Sequence, residues 1–147
     1  MVRNPPAHFP RVTPYLLYED VPGALDWLSK AFGFTERLRF TGADGTVNHA
    51  EMQLGDGVIM MGDAGDAYRN PKRVGAVTVQ IHVYVDDVDA HFERAKAAGA
   101  EIRRELRDEE YGDRRYDAYD LEGHLWSFAE HVKDVQPENW GAEPAQR

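Results

Sequence analysis

His49 and Glu51 stand two residues apart in VNHAEMQL, and His82 stands in the alternating stretch QIHVYV. On an extended strand a spacing of two puts side chains on one face. His49, Glu51 and Gln53 therefore share a face, with Ala50, Met52 and Leu54 on the other. Gln80, His82 and Tyr84 oppose Ile81, Val83 and Val85 in the same way. Two imidazoles and a carboxylate brought together form a ligand set for a divalent metal. The same three side chains without a metal are hydrogen-bonding lining of a polar cleft. Both readings fit the alternation. The other histidines carry less chemistry: His91 is expected on the polar side of a helix, His124 just after a turn, and His8 and His131 near the ends. The serines are Ser29 and Ser127, and no histidine is spaced to activate the helical Ser29, so acyl transfer by serine has no visible basis. The mixed-sign run EIRRELRDEEYGDRR is expected to be a solvated strand edge and loop.

The elements that must position these residues come as a repeat. Tyr18–Phe34, YEDVPGALDWLSKAFGF, matches Val85–Glu101, VDDVDAHFERAKAAGAE, in its acidic opening and helical apolar spacing. Val21, Leu25, Leu28 and Phe32 form one stripe, and Val88, Phe92 and Ala95 the other. Asp20 and Asp87 are natural N-caps, and Gly33 and Gly99 natural stops, predicting helices near Val21–Phe32 and Val88–Ala98. A short strand precedes each helix, at Thr13–Tyr18 and at Gln80–Val85. A polar strand and then a hairpin follow each, with turns expected at Asp56-Gly57 and Glu122-Gly123. Each half is thus β-α-β-β-β. The modules run from about 12 to 63 and from about 77 to 135, joined by an aperiodic linker at about 64–76. Half a chain is small for its own core, so the modules are expected to share one.

Composition narrows the function. The chain has 147 residues, 42% hydrophobic and 29% charged, which fits one globular domain. Its net charge of −9 disfavours nucleic acid and anionic membranes as partners. With no cysteine, disulfides, thiolate metal sites and thiol nucleophiles are excluded. No apolar run reaches the roughly 20 residues of a membrane span, and MVRNPPAHFP lacks an apolar signal core, so a cytoplasmic location is expected. The proline-punctuated segments Met1–Arg11 and Gln136–Arg147 read as irregular, with Trp140 an anchor on the body or on a partner.

Four segments carry a resemblance: PYLLYEDVPGALDWLSKAFGF, NHAEMQLGDGVIMMGD, VYVDDVDAHFERAKAAGAEI and YGDRRYDAYDLEGHLWSFAEH, in order across Val12–Val135. Together they resemble the vicinal oxygen chelate superfamily (glyoxalase, bleomycin resistance protein, dioxygenase), and within it the PhnB-like branch. The resemblance implies an α+β fold of two βαβββ modules in a pseudo-twofold arrangement, with a curved mixed sheet inside and helices outside. In metal-dependent members each module supplies two ligands, one from its first strand and one from its last. Here those positions fall on Thr13, Gln80, Ser127 and Met60, or Met61 for a register one residue over. A borderline divalent ion prefers carboxylate and imidazole, so metal chemistry at these positions is expected to be lost.

What remains on the expected concave face is a small-molecule cleft. Tyr15, Leu17, His49, Glu51 and Met60 come from the first module, and Gln80, His82, Tyr84 and Ser127 from the second. Aromatics, an adaptable methionine and a few directional polar groups suit such a site, while Trp27, Trp126 and Phe128 are expected in the core. The expectation is a metal-free, cofactor-free, non-catalytic homodimer sequestering a hydrophobic or aromatic metabolite or antibiotic, as bleomycin-resistance proteins do in grooves between subunits. The alternative is a metal-dependent lyase, isomerase or dioxygenase with a non-standard site at His49, Glu51 and His82.

Overall fold

The structure is a computed structural model and describes residues 1–146. Its two long helices are set by their ends. Asp20 and Asp87 accept the backbone N–H of Gly23 and Ala90, each at 3.0 Å, and so start α1 (Val21–Phe32) and α3 (Val88–Ala97). Gly33 stops α1 in the left-handed region at φ 80°. α3 stops one residue before the expected end, with Ala98 as its cap and Gly99 following.

β1 (Tyr15–Tyr18), β2 (Thr35–Thr41), β3 (Val47–Leu54) and β4 (Gly57–Asp63) make a four-stranded sheet in the order β1-β4-β3-β2. β5 (Gln80–Tyr84), β6 (Glu101–Asp108), β7 (Asp113–Tyr119) and β8 (Leu125–His131) repeat that order as β5-β8-β7-β6. In each sheet the first strand pairs in parallel with the last and the other pairs are antiparallel. The two modules are therefore built alike, but as two separate sheets rather than one continuous curved sheet.

The hairpin turns sit one residue earlier than the sequence suggests. Leu54 pairs with Gly57, so Gly55 and Asp56 are the turn, with Gly55 at φ 57°. In the second hairpin Leu121 and Glu122 are central, closed by the Gly123 N–H to the Asp120 carbonyl at 3.1 Å. The linker also holds more structure than expected. Asn70 accepts the Arg73 N–H and caps one helical turn, α2 (Pro71–Val74).

Strand alternation buries one face of both sheets under the helices. Ala50, Met52, Met61, Trp126 and Phe128 are fully buried. Phe32, at the end of α1, reaches across to the second module, with ring centroids 4.6 Å from Phe128 and 5.6 Å from Trp126. Trp27 packs edge-on against Phe32 at 4.9 Å, at the partly buried margin of the same core. The shared core expected from the small size of each half is this cluster.

Polar groups clamp the modules together. Asp120 is buried and accepts four hydrogen bonds: the Tyr18 hydroxyl (2.7 Å), Trp126 Nε1 (3.0 Å), and the backbone N–H groups of Glu122 and His124. Buried Glu122 accepts the N–H groups of Glu19 and Asp20 at 2.7 and 2.9 Å. His124 donates from Nε2 to the Leu17 carbonyl at 2.8 Å. Arg94 donates to the Lys30 and Ser29 carbonyls at the end of α1. His91 departs from its expected surface role. Its Nε2 donates to the Phe32 carbonyl at 2.9 Å, its Nδ1 accepts from the Tyr116 hydroxyl at 2.6 Å, and its ring lies 4.2 Å from Phe128.

Burial lowers the His91 pKa, aided by the Arg94 charge and opposed by the hydrogen bond to Phe32. A lowered imidazole favours folding fully above its unfolded value near 6.5, and that contribution is lost as pH falls through the folded value. His131 acts oppositely: hydrogen bonds to Asp113 and Asp134 raise its pKa. Its contribution is full below about 6.5 and lost as pH rises, but its exposed pairs are screened by solvent. The urea midpoint is therefore expected to fall between pH 7 and 5 in the native protein. In His91→Gln this acid-side fall should be visibly flatter.

Candidate functional site

The faces turned away from the helices carry the candidate residues. On the first sheet, Tyr15 and Leu17 are 50% and 41% exposed. Tyr15 lies on β1 and His49 on β3, with β4 between them. The Tyr15 side chain crosses β4 at Gly62, where an added Cβ would come within 2.6 Å of the Tyr15 hydroxyl. Glycine thus opens the path by which Tyr15 Oη meets His49 Nδ1 at 2.9 Å. His49 Nε2 lies 3.2 Å from Oε2 of buried Glu51. Met60 pairs with both Tyr15 and Glu51 and is partly buried beside them.

Leu38 and Phe40 extend this face. They pair with Glu51 and His49 and are 46% and 60% exposed. Sequence reasoning did not select them, although their alternation with Arg37 and Arg39 in RLRF was the available signal.

The second sheet presents a different surface. Gln80 and His82 are exposed on β5, and Tyr84 is 59% exposed, donating its hydroxyl to Asp113 at 2.9 Å. Desolvation and the nearby Arg115 charge hold the His82 pKa below the usual histidine value, against the pull of Asp113 and Asp117. His82, Ser127 and Asp117 form one cross-strand row. Asp117 is 1% exposed, with Arg107, Arg115 and Arg103 at 3.3, 3.6 and 3.8 Å. The mixed-sign run is thus an ion network across this face, not only a solvated edge. Ser127 Oγ, Asp117 Oδ1 and Arg115 Nε are buried without a hydrogen-bond partner among the described residues. Such groups are costly unless something completes them.

The structure joins His49 to Glu51 but leaves His82 on the other sheet, beside Tyr84 and the arginines. Among the described residues, no three His, Asp or Glu side chains are grouped to hold a metal ion. The inherited ligand positions do not fit one either. Thr13, Met60, Gln80 and Ser127 offer neither carboxylate nor imidazole.

At the seam between the sheets runs a groove of about 350 Å³, bordered by Tyr15, Leu17, Tyr68, Val77, Ile81 and His124. Trp140 lies against Tyr111 of its own chain, with ring centroids 5.5 Å apart. No helix among the described residues is long and apolar enough to cross a membrane.

Two repeated βαβββ modules with open faces define a known class of protein. The family described as Glyoxalase/Bleomycin resistance protein/Dioxygenase superfamily matches residues 8–128, and the chain belongs to it. An uncharacterized protein of Mycobacterium bovis is 36% identical over 131 residues, 86% of either chain. TioX from Micromonospora sp. ML1 is 40% identical in its crystal structure, with a TM-score of 0.67 over 82% of this chain and 98% of that one. The fosfomycin resistance protein FosX of Listeria monocytogenes shares the fold, at 18% identity and a TM-score of 0.60 over 87% and 94% of the two chains.

Proposed function

We propose that this protein binds a hydrophobic or aromatic small molecule on its two open sheet faces, without metal, and that a second copy of the chain covers them. One observation carries the reading: Tyr15, Leu17, Leu38, Phe40 and Tyr84 stay 41–60% exposed on the faces opposite the core. Apolar side chains gathered in this way suit a guest or a subunit. The faces differ usefully. The first is aliphatic and aromatic, and the second carries the arginines Arg103, Arg107 and Arg115 around Asp117. The local arginines also temper the net charge of −9, so a neutral guest suits the site better than a cation. The superfamily's drug-binding members favour the same role, sequestration of a metabolite or antibiotic in the cytoplasm. The PhnB-like resemblance of the four sequence segments agrees with it.

The test uses N-phenyl-1-naphthylamine, a neutral fluorescent diarylamine, titrated into protein dialysed against EDTA. Saturable binding is expected. Stacking on an aromatic ring adds about 0.5–1.5 kcal/mol to area burial, so Tyr84→Ala is expected to weaken it by up to about tenfold. Undiminished affinity in Tyr84→Ala, or binding that requires added metal, would contradict the proposal.

A further inference from the structure

The hydrogen bonds on the first sheet have a direction. A carboxylate only accepts, so His49 Nε2, 3.2 Å from Glu51 Oε2, carries the proton and donates it. In the neutral imidazole Nδ1 is then an acceptor, and the Tyr15 hydroxyl at 2.9 Å is its donor. Tyr15, His49 and Glu51 therefore stand as a hydroxyl, a base and a group that orients the base, the arrangement that activates a nucleophile. Their burial is graded to match: Glu51 is buried, His49 half-buried, and Tyr15 half-exposed where it lines the groove. Gly62 keeps the path between strands clear. A tyrosine serving only as an aromatic wall has no need of a base held by a buried carboxylate.

We infer that Tyr15 is an activated phenol that accepts an acyl group from activated esters, with His49 as its base and Glu51 as the residue positioning that base. Tyr15 Oη attacks the acyl carbon while its proton passes to His49 Nδ1. The bond from carbon to the leaving oxygen breaks, and that oxygen departs as an alkoxide or phenolate. The product is O-acyl-tyrosine beside an imidazolium balanced by the Glu51 carboxylate, and the imidazolium then returns its proton to solvent. This reactivity goes beyond sequestration and needs no metal.

The probe is 4-nitrophenyl acetate, used on the full chain with 4-nitrophenolate release followed by absorbance and the modified residue located by peptide mass spectrometry. The expected result is a burst approaching one equivalent per chain, with the acetyl group on Tyr15. Tyr15 should react at least about tenfold faster than the other six tyrosines. Tyr15→Phe abolishes the burst, and Glu51→Gln slows it at least about tenfold. His49→Ala abolishes it, and added imidazole restores acetylation of Tyr15 in preference to the other tyrosines, a selectivity that acetylimidazole formed in solution would not show. Circular dichroism confirms that each variant is folded, and Glu51→Gln carries the test if His49→Ala is not. Acetyl groups spread over lysines and tyrosines, acetylation of His49 itself, or an unchanged burst in Glu51→Gln would each overturn the inference. None of these outcomes bears on diarylamine binding, so the two proposals fail separately.

Discussion

Replacing Phe32 with alanine is expected to cost about 3–5 kcal/mol of folding free energy, the usual range for a large aromatic removed from a core. The cost arises from its position. Phe32 belongs to the first module by sequence, yet its ring packs against Trp126 and Phe128 of the second. Its carbonyl also accepts the His91 hydrogen bond, so the cavity opens beside a polar clamp that must stay aligned. Urea unfolding followed by tryptophan fluorescence and by far-ultraviolet circular dichroism should show one coincident transition, shifted to lower denaturant in Phe32→Ala. Separate transitions for the modules would contradict the shared core.

Asp120→Ala is expected to be nearly as severe, at about 3 kcal/mol or more. The substitution leaves the Tyr18 hydroxyl and Trp126 Nε1 buried without their acceptor and frees two backbone N–H groups of the turn. Each buried donor so stranded costs about 1–3 kcal/mol. Tyr18→Phe removes donor and demand together and should cost only about 1 kcal/mol. Equal losses from the two variants, measured by thermal or urea unfolding, would show that Asp120 acts through Tyr18 alone.

The parts of this architecture governed by neighbouring residues were legible in the sequence. Asp20 and Asp87 start helices because capping depends on residues two or three positions away. The alternation of Ala50, Met52 and Leu54 with His49, Glu51 and Gln53 assigned the two faces of β3, and burial follows it except at Glu51, which is buried on the open face beneath His49 and Met60. Contacts across strands were not legible. Nothing near Tyr15 in sequence shows that Gly62 will sit beneath its side chain or that His49 lies beyond, because both depend on β4 entering between β1 and β3. His91 was misplaced for a related reason. The second helix reads as polar on that side until α1 of the other module packs there and supplies the Phe32 carbonyl. The arginines of β6 and β7 resemble a solvated run until the register brings Arg103, Arg107 and Arg115 around Asp117. The turn at Pro71–Val74 carried its own signal, Asn before Pro, which the polar composition of the linker obscured.

In the proposed dimer a second copy of the chain completes the open, partly apolar sheet faces. Sedimentation equilibrium in the micromolar range, in buffer containing EDTA, tests it most directly. A single species of twice the 16.7 kDa chain mass is expected, held more tightly when N-phenyl-1-naphthylamine is present. A monomer of 16.7 kDa that persists across the range, with and without the diarylamine, would contradict it.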